Sequence, residues 1–454
     1  MLKSVIIGVL RHFRKRHLQL YINIFGLSVS LAITILLTGY ITKELNTGKA
    51  LPDSEKLYRL ESREGSWFSK KVYDVITNET PEISASTYIQ DNWSVHRFFQ
   101  VGSNLVNANN TIYADSGFFD VFNYKVISGD LKDFNYKPHS IIITEDLADR
   151  LYGAENPIGK SVRYKTTAFG KFDLTVAAVL KKLPGEAMLR FDAVIPVQEL
   201  NAVEWYDPNH WGSNNYQVYV KINQPFDKHD LETKILTTLK KHAPEWLMND
   251  IQSIHLSKYE NLYFNASEPY DILAHNSITY IHALIIVSLF IIVIACINYI
   301  NLFTARYHQR LKKIGIQKTL GAKSTRIIQE LCLESTIIIL IAFFISLVIA
   351  MGGINILNVY TDSFLSLSDI LSGKSGVRIL FVFISIALIC GVLPGLSLLT
   401  KNPVSQIRKT KAIVITNNTS LKSGPVIFQF CISFIAIFST ILIIKQIKHM
   451  QNYH

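Results

Sequence analysis

Five stretches of this chain contain no Asp, Glu, Lys or Arg: 17–42, 272–305, 335–361, 379–400 and 423–444. Each is long enough to hold the roughly 20 apolar residues that a helix needs to cross the hydrocarbon core of a bilayer. The 454 residues are 49 % hydrophobic and only 18 % charged, whereas soluble domains carry about 25 % charged residues. Composition therefore excludes a mainly disordered chain, and the clustering of the apolar residues excludes a purely soluble one.

Charge is distributed to match. The net charge of +11 would by itself invite nucleic acid. The excess, however, sits in three short stretches, each beside an apolar run. Residues 1–19 hold five Lys/Arg and no acid, 304–330 hold seven and one acid, and 400–424 hold five and none. The long segment 43–278 has 25 Lys/Arg against 31 Asp/Glu. Basic short loops mark the cytoplasmic side of a membrane protein, where anionic lipid heads attract them. Nucleic acid is not expected as a partner.

These patterns predict a multi-pass α-helical membrane protein with its N-terminus inside. Residues 1–19 form a basic cytoplasmic segment, in which Leu2, Ile6, Val9, Leu10 and Phe13 have the spacing of a helix lying on the membrane face. The first span covers 20–42; its apolar run is too long for a signal peptide core, and no small-x-small cleavage site follows. A large extracytoplasmic domain, 43–278, is inserted before the second span, 279–305. A cytoplasmic segment, 306–334, leads to the third and fourth spans, 335–400, which are joined by a short outer loop. A cytoplasmic linker, 401–424, precedes a fifth span within 425–454.

The segment 43–278 is far too long for a loop and must fold. Ser140–Thr144, Leu174–Leu180 and Tyr216–Val220 read as strands. Glu145–Tyr152 reads as a helix capped by Thr144, and Asp230–His242 as a helix closed before Pro244. Strands and helices interleave, so the domain is expected to be α/β or α+β. All four cysteines, Cys296, Cys332, Cys390 and Cys431, lie in or beside apolar spans. The outer domain must therefore hold together without disulfides, and the cysteines read as small packing residues.

No catalytic or metal constellation stands out. Ala154-Glu155-Asn156-Pro157-Ile158-Gly159-Lys160-Ser161 loosely matches a phosphate-binding loop. In a true one, a strand precedes the loop and a helix follows it, so that helical N–H groups meet phosphate. Here the order is reversed, and Pro157 removes a donor. The histidines of the outer domain lack zinc-ligand spacing, and no G-x-S-x-G elbow is present. The chain is expected to be a non-catalytic membrane subunit without cofactor or metal.

The informative stretch follows the second span: Lys312-Lys313-Ile314-Gly315-Ile316-Gln317-Lys318-Thr319-Leu320-Gly321-Ala322. It reads as a basic helix broken at Gly315 and again at Gly321-Ala322, with a further helix, Thr325–Glu334, leading into the third span. A short element held between two membrane helices suits docking on a cytoplasmic partner. Composition alone would favour a lipid-facing linker.

This stretch resembles the cytoplasmic signature of the MacB/FtsX-type permeases of ABC transporters, R-x-x-E-[IV]-G-[IL]-[RL]-K-x-[LI]-G-A. Gly315, Ile316, Lys318, Leu320, Gly321 and Ala322 match it. Lys313 stands where the family often has Glu, and Gln317 where Arg is common. Ile22–Leu27 resembles the family's start, Ile141–Lys160 a segment of its MacB-like periplasmic core domain, and Lys401-Asn402-Pro403-Val404 the stretch after its fourth span. Larger members carry two such units in tandem, and Gly424–Phe430 resembles the start of a second. The chain is thus expected to correspond to the first half of a tandem permease.

The resemblance implies a permease in the inner (plasma) membrane that binds no ATP itself. A separate cytoplasmic ATPase would dock on Lys312, Lys313, Gly315, Ile316, Lys318, Leu320, Gly321 and Ala322. Its motion would reach the outer domain through the helices, a mechanotransmission scheme for export or release of peptides, drugs or lipoproteins. A dimeric assembly or tandem second unit and an outer partner protein are implied as well. The spans carry no Asp, Glu, Lys or Arg, which a solute path through the bilayer would normally need. The alternative reading is an anchored regulator or sensor whose outer domain binds a ligand or partner; it would need a cytoplasmic output domain.

Overall fold

The computed structural model describes residues 18–399, apart from 92–95, 109, 184, 205, 266–270, 306–315, 318–319 and 362–364, and a few single helical positions between 427 and 445. The chain forms two compact units, one of residues 43–280 and one of 1–42 with 281–454. Among the described residues, four helices are long and apolar enough to cross a membrane. They fall on the first four expected spans. The basic segment 1–17, the linker 401–424 and nearly all of the fifth expected span lie outside the described residues.

The chain enters along α1 (Leu18–Asn46), which passes the boundary between the two units. The outer unit is built on one mixed sheet of thirteen strands. Its first seven are β1 (Leu57–Ser62), β2 (Trp67–Phe68), β3 (Ala85–Asp91), β4 (Arg97–Val101), β5 (Asn104–Asn107), β6 (Thr111–Ala114) and β7 (Val126–Gly129). The rest are β8 (Ser140–Thr144), β9 (Ser161–Thr166), β10 (Gly170–Leu180), β11 (Ala193–Pro196), β12 (Tyr216–Lys221) and β13 (Ile254–Lys258). The order is β13-β1-β12-β3-β6-β11-β8-β10-β9-β4-β5, with β2 on β12 and β7 on β10. The pairs β6/β11 and β8/β10 are parallel and the others antiparallel.

Both faces of this sheet are covered. Ile141 and Ile143 of β8 pack into one apolar core, while Ile142 packs into the other. Val218 and Val220 of β12 likewise face one core and Tyr219 the other. Central strands buried on both faces read as unbroken apolar runs, because neither face alternates with solvent. One core also takes α2 (Lys70–Glu79), with Val72 and Ile76 buried in it. The other takes the aromatic face of α3 (Phe118–Phe122). Helix α4 (Leu131–Tyr136) follows. Helix α5 (Glu145–Tyr152) starts where expected, because Thr144 Oγ1 accepts the Leu147 N–H at 3.4 Å.

Helix α6 (Lys228–His242) begins two residues before the sequence reading placed it. The reason is Asp227, whose carboxylate accepts the N–H groups of His229 and Asp230 and so caps the helix. Helices α7 (Glu245–Asp250) and α8 (Tyr259–Leu262) complete the unit.

The membrane unit adds α9 (Ile278–Ala305), α10 (Ser324–Thr361), α11 (Leu367–Leu371) and α12 (Gly373–Leu399). Helix α10 is one continuous rod of 38 residues, roughly 57 Å long, so it outreaches the hydrocarbon core by several turns. The expected outer loop contains α11, opened by a reciprocal cap between Ser366 and Asp369.

Buried apolar side chains of these helices gather where the helices meet. Leu27 and Leu31 of α1, Cys296 and Tyr299 of α9, Ile339 of α10 and Cys390 of α12 share one cluster. The Tyr299 hydroxyl donates to Ser335 Oγ at 3.0 Å, and Ser335 Oγ donates to the Cys390 carbonyl at 3.3 Å. Three helices are thereby tied by polar groups that lipid could not satisfy.

Candidate coupling site and a buried polar junction

Of the expected coupling residues, Ile316, Leu320, Gly321 and Ala322 are described; Lys312, Lys313, Gly315 and Lys318 lie outside the described residues. The Leu320 N–H donates to the Ile316 carbonyl at 3.1 Å, which places these two residues one helical turn apart. Gly321 has φ +86°, and the Ala322 N–H donates to the Gln317 carbonyl at 2.9 Å. This six-to-one bond across a left-handed glycine is a Schellman stop. The chain then re-enters a helix at once, with the Lys323 carbonyl accepting the Arg326 N–H at 3.0 Å.

The turn leaves apolar groups on the surface. Leu320 is 82 % exposed and Ile316 is 52 % exposed. Gln317, at a departure from the family pattern, donates through Nε2 to Glu330 Oε2 at 2.9 Å. That bond braces the turn against α10 and was not legible in the sequence, because it links positions on two separate helices.

A second constellation, in the outer unit, escaped the sequence reading altogether. Arg59 of β1 is wholly buried. Its Nη1 donates to Asp271 Oδ2 at 2.5 Å, and its Nε and Nη2 donate to Glu61 Oε1 at 3.1 and 2.6 Å. Asp271 Oδ1 also accepts from Gln217 Nε2 at 2.9 Å and from the Leu273 N–H at 3.0 Å. His275 Nε2 lies 2.8 Å from Asp271 Oδ2, and its Nδ1 donates to the Leu262 carbonyl at 2.9 Å. Burial opposes ionisation of Asp271, but His275, Arg59 and Gln217 outweigh it and hold the carboxyl well below its usual range. The only signal in the sequence is a charge inside an apolar strand, Leu57-Tyr58-Arg59-Leu60. Beside the junction opens a groove of about 510 Å³, lined by Tyr58, Glu61, Phe226, Lys228, Lys258 and Asn261 among others.

Residues 21–237 match the model of the MacB-like periplasmic core domain, and residues 285–403 match that of the FtsX-like permease C-terminal domain. The chain belongs to the MacB/FtsX-type permeases. Members of this family are generally the membrane component of ABC-type exporters.

The permease is 23 % identical over 280 residues to the macrolide export ATP-binding/permease protein MacB of Aggregatibacter actinomycetemcomitans. That match takes in 60 % of this chain and 40 % of the relative's own length. Among solved structures, a domain of a putative permease from Porphyromonas gingivalis is 19 % identical with TM-score 0.38, covering 52 % of this chain and 98 % of that one. The periplasmic region of MacB from Actinobacillus actinomycetemcomitans is 14 % identical with TM-score 0.36, covering 50 % and 100 %. The extracellular domain of the ABC-type transporter YknZ from Gram-positive bacteria is 15 % identical with TM-score 0.32, covering 44 % and 98 %. Family membership rests on the two family models.

In this permease the loop 154–161 is a turn from α5 into β9. Three of its N–H groups are bonded internally: Ile158 to Asn156 Oδ1 at 3.1 Å, Gly159 to the Val176 carbonyl at 2.9 Å and Lys160 to the Pro157 carbonyl at 3.0 Å. Lys160 pairs with Glu155 and lies 5.6 Å from the centre of the Tyr152 ring. A phosphate would find neither the converging donors nor the helix end it needs.

Proposed function

We propose that this chain couples ATP hydrolysis by a separate cytoplasmic ATPase to movement of the domain 43–278, driving export or release of peptide, drug or lipoprotein-type substrates. One observation carries the reading: Leu320 stands 82 % exposed on a glycine-stopped turn that runs directly into the 38-residue helix α10. An exposed leucine on a rigid turn is a natural anchor for a partner's pocket, and a continuous rod behind it can carry a push. Lys312, Lys313 and Lys318 neighbour the anchor in the sequence, and basic charge there steers association more than it strengthens it. The charge asymmetry of the chain supports placing this turn inside and the domain 43–278 outside. Macrolide export, named for the MacB relative, falls in the drug class among these substrates.

The test is co-purification of the full chain with its ATPase. Leu320→Asp should abolish the complex while leaving membrane insertion and the fold of the outer domain intact. An ATPase that binds Leu320→Asp as well as the unaltered chain would place the docking site elsewhere.

A further inference from the structure

Residues 271–277 connect the outer sheet to the start of α9, and both ends of this short segment are fastened. At one end Asp271 is held by Arg59 of β1 and Gln217 of β12. At the other, Asn276 Nδ2 donates to Glu44 Oε2 at 2.6 Å, in the last turn of α1, and the Tyr263 hydroxyl donates to the same oxygen. Between them Leu273 bridges to Leu189, the Ala274 N–H donates to the Met188 carbonyl at 2.9 Å, and the Asn276 N–H donates to the Tyr263 carbonyl at 2.9 Å.

His275 sits in the middle with an acceptor beside each ring nitrogen: the Leu262 carbonyl of α8 at Nδ1 and the Asp271 carboxylate at Nε2. A neutral imidazole has one N–H, and the Leu262 carbonyl takes it at Nδ1; the approach of Nε2 to the Asp271 carboxylate is an ion pair rather than an aligned hydrogen bond, and it is attractive only when the ring carries a second proton. Among the described residues, the charged groups acting on the ring are Asp271 in the segment itself and Arg59 on β1. Glu61 lies behind Arg59, and Glu44 lies on the neighbouring Asn276.

We propose that residues 271–277 form a protonation-gated strap, in which Asp271, His275 and Asn276 are positioning residues that make the chain entering α9 move with the sheet and with the end of α1. The idea rests on the coupling function proposed above, since movement of the membrane helices passes from α9 to the sheet only as far as this strap is stiff. The Asp271 carboxylate raises the pKa of His275, against the opposing effects of partial burial and of Arg59. The fastened strap therefore binds the proton more tightly than an opened one. Its full stiffness is present below the ordinary histidine range, about 6.5, and is lost as pH rises through the raised value.

The experiment is hydrogen exchange with mass spectrometry on the full chain in lipid nanodiscs, with exchange times scaled for base catalysis at each pH. Amides in β8 serve as the internal reference. Protection of residues 273–277 relative to β8 should fall between pH 6 and pH 9, the direction that a raised histidine pKa requires. His275→Gln should be less protected at pH 6 and show no such fall. Asn276→Ala should loosen the segment at every pH but keep the pH dependence, which separates the two fastenings without disturbing the buried Arg59. A flat profile in the unaltered chain, or an unchanged fall in His275→Gln, overturns the proposal.

Binding of the ATPase, measured on the same preparations, keeps the two ideas apart. A chain that binds ATPase but has a flat strap sinks the strap alone, and one whose strap titrates but binds no ATPase sinks the coupling function.

Discussion

Glu44 accepts a hydrogen bond from Asn276 across 232 residues of sequence, and between these two positions lies almost the whole outer unit. The carboxylate is buried, with its other oxygen 3.9 Å from Lys43 Nζ. The chain that enters the domain and the chain that leaves it are thus joined to each other, as well as to the core between them.

This pairing should be measurable as a coupling energy. A hydrogen bond to a charged group contributes about 1.5–3 kcal/mol, and a buried acceptor left short of a donor loses about 1–3 kcal/mol. Asn276→Ala and Tyr263→Phe should each lower the outer domain's stability by an amount in that range. Combined with Glu44→Gln, Asn276→Ala should cost less than the sum of the single changes. All five tryptophans lie within residues 43–278, so fluorescence-detected unfolding of the full chain reports on this domain. Strict additivity would mean that the two side chains do not act together.

What could be read from the sequence was local. Ser140–Thr144 and Glu145–Tyr152 carry their own signals, an unbroken β-branched run and then a capping threonine. Gly321 announced itself as a helix stop because only glycine enters the left-handed region without strain. The Ser366–Asp369 spacing of the cap on α11 was also present and could have been read. Arg59 and Asp271 were not legible in the same way. They stand 212 positions apart, and nothing in the intervening sequence says that β1, β12 and the segment before α9 meet. The Gln317–Glu330 brace was hidden for the same reason.

Two glycines of the outer domain should prove intolerant of a methyl group. A Cβ on Gly117 would lie 2.1 Å from the Ser86 carbonyl oxygen, and one on Gly129 would lie 2.2 Å from that of Ala177. Neither obstacle is a side chain that could swing away. Gly117→Ala should destabilise the domain by about 1–3 kcal/mol, the usual cost of overpacking. Gly129→Ala should cost about 1–2 kcal/mol more, because its φ of +87° is also unfavourable for an L-residue. Gly102, with φ +56° and no atom within 4 Å of a built Cβ, is the control and should pay only the backbone penalty. Equal losses at all three positions would refute the steric argument.

Topology can be checked by labelling from outside. Ser116 and Ser324 are both exposed, and they fall on opposite sides of the membrane in the proposed arrangement. In a background with the four native cysteines replaced, Ser116→Cys should react with an impermeant maleimide on intact cells. Ser324→Cys should react only after permeabilisation. The reverse pattern would invert the whole arrangement and remove the cytoplasmic docking site with it.

The docking turn permits a test that separates shape from contact. Gly321 has φ +86°, and a Cβ built there meets nothing within 4 Å. Alanine at this position therefore clashes with no atom of the described structure, and its cost is conformational, about 1–2 kcal/mol for holding an L-residue in the left-handed region. Asparagine enters that region far more readily. If the Schellman stop is what presents Leu320 and Ile316 to the ATPase, Gly321→Ala should weaken the complex by roughly 5- to 30-fold, as 1–2 kcal/mol requires. Gly321→Asn should recover most of that loss. A partner that instead reads the bare backbone at Gly321 would be blocked by any side chain, and asparagine would then bind worse than alanine. Titrating the ATPase onto the three chains in nanodiscs ranks them directly. The order glycine, asparagine, alanine supports a conformational role, and the order glycine, alanine, asparagine replaces it with close backbone contact.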